Sequence, residues 1–333
     1  MAKQRSDQPE IILTGGAGFI GSCFLWKLNQ AGENNIIVVD ELDSDLKKKN
    51  LEGKKYSEYL NKDDFIQKLR RGAVSTQAKA LFHLGACSST METDANFLTK
   101  NNFEYSKTLA NWALSSNVPF YYASSAATYG DGSLGYSDED SLTPKLRPLN
   151  LYGQSKHKFD VWLIENKFSD KVVGFRYFNV FGPNEYHKGE MRSLVVKAYE
   201  QIKRDGKIRL FKSYKPEYKN GEQKRDFVYV KDVINLMYKF YKNGKVKGIF
   251  NVGTGQARSW NDLAKSIFAA LGMQINIEYI EMPELIKDKY QYFTEAKLAK
   301  LHKSGFKYSF TPLAEAIADY VKNYLDTANL THL

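Results

Sequence analysis

The chain has 333 residues, 43% of them hydrophobic and 14% aromatic, with a formal net charge of +10. That is enough apolar material for one large α/β domain with a smaller lobe, which excludes a disordered chain, and no run is long enough to span a bilayer. Two cysteines, Cys23 and Cys87, make neither a disulfide framework nor a metal-ligand spacing, which fits a reducing cytoplasm and no metal site.

In chain order, residues 1–8 form a short polar leader without the apolar stretch of a secretory signal. Strands are expected over 11–14, 36–40, 80–84, 120–124 and 172–176. Each is a short β-branched or aromatic run suited to burial on both faces. Helical patterns over 19–31, 96–115 and 155–166 lie between them. Strands alternating with helices predict βαβ units, hence a doubly wound parallel sheet of the Rossmann type. Beyond Gly182-Pro183 the rhythm loosens: a helix over 193–204, a strand over 208–211, a lysine-rich loop over 212–224, then Arg225-Asp226-Phe227-Val228-Tyr229-Val230 leading into a helix near Asp232. A strand over 248–252 and helices over 260–271, 294–301 and 312–325 complete the chain. Residues 1–182, with 225–253 returning to them, therefore form the dinucleotide-binding domain. Residues 183–224 and 254–333 form a substrate-binding lobe over the carboxyl edge of the sheet.

Gly15-x-x-Gly18-x-x-Gly21 follows the first strand directly and opens a helix. Glycines there allow a tight turn, backbone approach to a pyrophosphate, and close packing of helix on sheet. The helix N-terminus supplies free N–H groups for that anion. Asp40 ends the second strand, where a carboxylate accepts from a ribose 2′-hydroxyl, which suits NAD. Glu41 adds negative charge, while Lys47 and Lys48 suit the 2′-phosphate of NADP, so the spacing leaves both dinucleotides open.

Tyr152-x-x-x-Lys156 puts a phenol and an ammonium one helical turn apart on one face. A nearby ammonium favours phenolate, which lets a tyrosine exchange protons near neutral pH. The pattern also occurs at Tyr199/Lys203, Tyr238/Lys242 and Tyr241/Lys245, which read as solvated helix faces. Context selects Tyr152, downstream of a strand ending in Ser124-Ser125. Ser125 can then donate a hydrogen bond to an oxygen being oxidised or reduced.

These motifs, with Ala123 to Gly130 and Arg176 to Pro183, resemble the extended short-chain dehydrogenases that act on nucleotide sugars. Gly85-Ala86-Cys87-Ser88-Ser89-Thr90, His187-Lys188-Gly189, the segment 224–230 and Tyr290-Gln291-x-Phe293-Thr294 narrow the resemblance to the ADP-L-glycero-D-manno-heptose 6-epimerase family. The resemblance covers nearly the whole chain after residue 9. It implies inversion at C6″ of an ADP-heptose by transient oxidation, on the route to lipopolysaccharide core, with tightly held NADP. It further implies Tyr152 and Lys188 as acid/base groups and Lys156 on the cofactor. Phe19, Ile20, Asp40, Glu41, Lys47, Lys62, Leu84 to Ser88 and Asn101 match cofactor positions. Ser125, Asn179, Phe211, Arg225 and Tyr290 match substrate positions, with Arg225 clamping the diphosphate. A homo-oligomer, a pentamer in the family, is implied as well. The chain departs from the family pattern at Glu41, Leu84, Glu190, Lys197 and the long loop 212–224.

Three other functions bear comparison with these features. A UDP-hexose 4-epimerase needs the phosphate loop and Tyr152/Lys156 but not Lys188. A 4,6-dehydratase needs an acidic pair where Ala126 and Ala127 stand. A non-enzymatic RNA-binding or dinucleotide-sensing module would draw only on the positive charge, which comes from scattered lysines without an arginine-rich arm. No nucleic-acid or membrane partner is expected.

Overall fold

In a computed structural model describing residues 10–287, 290–328 and 330–333, the apolar runs become parallel strands. The polar leader expected over 1–8 lies outside the described residues. In chain order the strands are β1 (Ile11–Thr14), β2 (Ile36–Asp40), β3 (Glu58–Asn61), β4 (Ala80–His83), β5 (Phe120–Ser125) and β6 (Val173–Tyr177). They are followed by β7 (Asn179–Phe181), β8 (Ile208–Phe211), β9 (Lys224–Arg225), β10 (Phe227–Tyr229), β11 (Gly248–Val252), β12 (Arg258–Ser259) and β13 (Ile277–Ile280). The central sheet has seven strands in the order β3-β2-β1-β4-β5-β6-β11, all parallel. The order reverses beside β1, so the connections leaving β1 and β4 run to opposite sides and open a crevice at the carboxyl ends.

Period-two alternation divides the core. Ile11 and Leu13 face one side with Phe24, Val38, Phe82, Tyr121 and Phe175, against Val195, Leu236, Ile267 and Tyr320. Ile12 faces the other side with Val39, Phe65, Leu81, Leu109, Tyr122 and Phe159. Pairs β7–β10 and β8–β13 (parallel) and β9–β12 (antiparallel) lie outside the main sheet.

Three elements differ from expectation. Strand β3 has no apolar run; its Glu-Tyr-Leu-Asn sequence is half-buried and becomes an edge strand by pairing with β2. The helix expected over 294–301 starts only at Ala299. Asp226 is the reason: its carboxylate accepts from Ala296 N at 3.0 Å, and Thr294 N donates to Lys224 O at 3.2 Å, which holds this stretch extended. The helix expected over 155–166 begins earlier, at Leu151, so Tyr152 and Lys156 do share one helix, Leu151–Glu165.

Candidate active site

The turn after β1 is built by close backbone approach. A Cβ on Gly15 would stand 2.4 Å from Gly85 N, and one on Gly21 would stand 1.9 Å from Gly15 O. Gly15 also has φ +73°, a left-handed conformation that favours glycine. At Gly18, at the start of helix Phe19–Gln30, a Cβ would meet Gly15 O at 3.1 Å, a tight contact but a milder one than those at Gly15 and Gly21. The three glycines thus serve turn, packing and anion approach, and the first-turn N–H groups point at a cavity of about 680 Å³. These residues fit a dinucleotide pyrophosphate.

At the far end a second cavity of about 280 Å³ shares Gly15, Asp40, Lys47 and Gly85 to Cys87 with the first. It adds Glu41, Lys62 and Asn101. Asp40 accepts from Ala17 N at 2.8 Å and from Glu41 N at 2.7 Å, and it pairs with Lys47 Nζ at 2.7 Å. Lys62 Nζ pairs with Glu41 at 2.6 Å and donates to Asn101 Oδ1 at 3.4 Å. With Asp43, 3.8 Å from Lys47 Nζ, three carboxylates and two ammonium groups line one pocket mouth.

The 680 Å³ cavity also holds Ser125, Tyr152, Lys156 and Lys188, together with Phe19, Ile20, Leu84, Ser88 and Asn179. Asn150 caps the Tyr152 helix by accepting from Gly153 N at 2.8 Å. Gly153 lets the helix close onto the turn after β5, since a Cβ there would lie 2.8 Å from Ala127 O. Lys156 Nζ donates to Ala123 O at 3.0 Å, and burial pulls its pKa down to about 8. Tyr152 behaves differently from the sequence expectation. Burial raises its pKa, partly offset by a hydrogen bond with Ser125, and the neighbouring ammonium does not bring it down. The phenol is held as an acid.

Asn102, which sequence reasoning did not single out, ties this group together. It sits in the π-helical turn Thr99–Glu104, accepts from Cys87 N at 2.9 Å, and donates to Cys87 O and to Ser155 Oγ. Behind β5, Asp160 accepts from Tyr122, Ser124 and Arg176, all within 2.9 Å and all fully buried. Arg176 also reaches Tyr129 and Thr143. This network fixes the strand that ends in Ser125.

Lys188 lies in the segment Tyr186–Met191 after β7, with its Nζ 5.6 Å from the centroid of the Phe19 ring. No carboxylate lies within ion-pair distance of Nζ among the described residues. Burial pulls the ammonium below the usual lysine value, opposed by the charge of Glu185. Neighbouring His187 is held neutral, with its pKa lowered to about 4 by burial and by Lys47 and Lys188.

Phe211, Arg225 and Tyr290 do not line the large cavity. They form a cluster beside it, joined to it by Trp260, another residue not anticipated from sequence. The Arg225 guanidinium lies 5.6 Å from the Trp260 ring and 5.2 Å from the Tyr290 ring, and it donates to the carbonyls of Lys224 and Gln291. Trp260 Nε1 donates to Tyr290 Oη at 2.8 Å. Asp226 is engaged by Thr254, Gly255 and Ala296 instead of Arg225, which leaves a buried guanidinium with no carboxylate partner among the described residues.

A family model described as the NAD dependent epimerase/dehydratase family matches residues 11–253. The ADP-L-glycero-D-manno-heptose-6-epimerase of Nitratidesulfovibrio vulgaris is 48% identical over 318 residues, 96% of this chain and 98% of its own. The chain belongs to the ADP-L-glycero-D-manno-heptose-6-epimerase branch of that family. Its Fusobacterium nucleatum relative of the same name is 47% identical, covering 95% of this chain and 98% of that one. Among solved structures, the Helicobacter pylori ADP-L-glycero-D-manno-heptose-6-epimerase matches with TM-score 0.79 and 29% identity, over 96% of this chain and 98% of its own. A UDP-glucose 4-epimerase from Thermotoga maritima matches with TM-score 0.75 and 26% identity, over 94% and 97%. The family is nicotinamide-dependent by its description.

Proposed function

We propose that this protein inverts C6″ of ADP-D-glycero-D-manno-heptose to give ADP-L-glycero-D-manno-heptose, with NADP as the resident dinucleotide, in the supply of lipopolysaccharide core. The observation that carries the reading is one cavity in which a phenol, Tyr152, and an amine, Lys188, face the same space beside a glycine-built phosphate cradle. The relatives' names supply the sugar.

A nicotinamide dinucleotide along the phosphate loop supplies reversible oxidation and reduction at C6″. The residues supply position and protons. Lys188, drawn toward the neutral amine, takes the C6″ hydroxyl proton; Tyr152, kept as a phenol, gives a proton to the oxygen once the aldehyde has turned over in the pocket. A turned substrate presents its oxygen at a second place, which is why two groups are needed. After one passage Lys188 is ammonium and Tyr152 phenolate, so the pair must be reset by proton exchange with solvent. Ser125 donates to the oxygen, and Lys156 holds the nicotinamide ribose. Arg225 clamps the diphosphate, the role its unpaired charge suits. Lys47 and Lys62 favour a 2′-phosphate at the pocket mouth. Asn179, Phe211 and Tyr290 shape the substrate side. We assign residues 1–182 with 225–253 to the cofactor and 183–224 with 254–333 to the substrate, in a cytoplasmic homo-oligomer.

Native mass spectrometry of the purified protein identifies the retained dinucleotide, and NAD in place of NADP would overturn that assignment. A Lys188→Met variant that epimerises the heptose at the wild-type rate would overturn the two-group scheme.

A further inference from the structure

The loop that carries Lys188 is costly to hold. Gly182 has φ +142°, Asn184 φ +74° and Gly189 φ +52°, so three left-handed residues fall within eight positions, one of them not glycine. The loop is held partly by its own Glu185 and partly by residues from distant parts of the chain.

From beneath, Glu185, 1% exposed, accepts from Gly182 N at 3.2 Å, Ser193 N at 2.5 Å, Ser193 Oγ at 2.8 Å and Tyr320 Oη at 3.2 Å. From outside, the segment Thr331–Leu333 closes over the loop. Leu333 N donates to Asn184 Oδ1 at 2.8 Å, and Tyr186 Oη donates to Thr331 O at 3.0 Å. The His332 ring packs edge-on against Tyr186 at 5.1 Å and its Nδ1 donates to Asn50 Oδ1 at 2.8 Å. Asn50, fully buried, donates in turn to Ala17 O at 3.0 Å and Asn184 O at 3.1 Å. Asn50 also meets His187 Nδ1 at 3.2 Å, so hydrogen bonds join the phosphate loop to the loop bearing Lys188 by two routes, directly through Asn50 and through residues 331–333.

We propose that Thr331–Leu333 is a positioning strap for the acid/base amine: by fastening Asn184 and Tyr186 to Asn50 it fixes the reach of Lys188 relative to the cofactor loop, while touching neither substrate nor cofactor. The strap rests on the reading of Lys188 as an acid/base group. It adds that residues more than 140 positions away in sequence, none of them in the cavity, set the rate of the chemical step. Displacing an amine by about an ångström loses on the order of 10- to 100-fold in rate even when binding survives.

The test removes Thr331, His332 and Leu333 from the holoprotein and measures kcat, KM, retained dinucleotide and the pH–rate profile. The strap predicts a kcat lower by roughly 10-fold or more, KM within about twofold, the dinucleotide retained, and a limb of the profile displaced as the loosened amine becomes hydrated. Unchanged kcat refutes it, and so does a loss of kcat that merely tracks loss of dinucleotide and of a cooperative melt. Should that variant fail to fold, Tyr186→Phe keeps the ring and removes the bond to Thr331 O, along with a hydroxyl contact to Tyr320. It is expected to lower kcat by roughly threefold with KM unchanged, and wild-type kcat there refutes the strap. A Lys188→Met control separates the two readings. If it is fully active the acid/base assignment has failed; if it is inactive and the strap variants are not impaired, only the strap has failed.

Discussion

Exchanging Glu41 for glutamine tests how the pocket mouth chooses its dinucleotide. Glu41 pairs with Lys62 at 2.6 Å, with the carboxylate side chain half exposed and the lysine 30% exposed. A 2′-phosphate held by the Lys62 ammonium would sit on the order of 5–6 Å from that carboxylate, one ion-pair contact beyond the ammonium. With about 1.8 negative charges on the phosphate and the dielectric of water, repulsion costs roughly 1.4 kcal/mol, which is about tenfold in affinity. The water value is appropriate because the pair is solvated; a lower dielectric would only enlarge the effect. Removing the charge also frees Lys62 from its ion pair, with the same sign. Glu41→Gln should therefore bind NADP about tenfold more tightly than the parent, with NAD changed by less than about twofold. Lys62→Met should weaken NADP selectively. Titration of protein stripped of dinucleotide, followed by calorimetry at two salt concentrations, reads both constants. The NADP gain should shrink as salt rises. If Glu41→Gln moves NADP and NAD equally, the acidic side chain does not see the 2′ position and the charge reasoning is wrong.

Arg176→Met should destabilise the fold by about 3–5 kcal/mol, because it strands the buried Asp160 carboxylate; a shift in urea midpoint worth under about 1 kcal/mol would contradict this. Gly21→Ala should abolish dinucleotide retention, since its Cβ would sit 1.9 Å from Gly15 O, whereas Gly18→Ala, whose Cβ would meet the same oxygen at 3.1 Å, should fold with a small shift of the turn and lose less affinity than Gly21→Ala. Both are read by circular dichroism alongside dinucleotide absorbance. Arg225→Met should raise KM for the nucleotide sugar by roughly 10- to 100-fold with a smaller effect on kcat, because it removes a bidentate diphosphate contact; an unchanged KM would place the diphosphate elsewhere. Lys156 gives a pH dependence with a definite sign. Its pKa falls from 10.5 in the unfolded chain to about 8 in the fold, so between those values the unfolded chain binds more protons and stability rises with pH. From pH 8 to 9.5 this residue's share of the gain is about 2 kcal/mol in dinucleotide-free protein, and that share should be absent in Lys156→Met. Denaturant melts of the two proteins at both pH values check it.

What the sequence discloses and what it conceals follow from the range of the interactions. Strands β1, β2, β5 and β11 are legible because burial on both faces demands unbroken apolar runs, and the phosphate loop is legible because backbone contact at Gly15 and Gly21 tolerates no side chain. Edge strand β3 is not legible, since one neighbour and half-burial impose no pattern on Glu58 to Asn61. The extended stretch at 294–296 is set by Asp226, about 70 positions earlier, and propensity alone reads it as helix. The site divides in the same way. Tyr152, Lys156 and Ser125 are marked by local spacing and by the strand before them. Asn50, Asn102, Glu185 and Trp260 carry no local mark, because a single polar or aromatic side chain acquires its role only when folding brings a remote backbone group to it. The Tyr152 phenol shows why a residue picked out by spacing can hold its proton where spacing alone suggests that it loses it. One helical turn places Lys156 near it, but the Lys156 ammonium is aimed at Ala123 O and enclosure by the protein outweighs its field. Sequence spacing fixes which groups are neighbours; the direction of each hydrogen bond, and hence which group holds the proton, is decided by the packed surroundings.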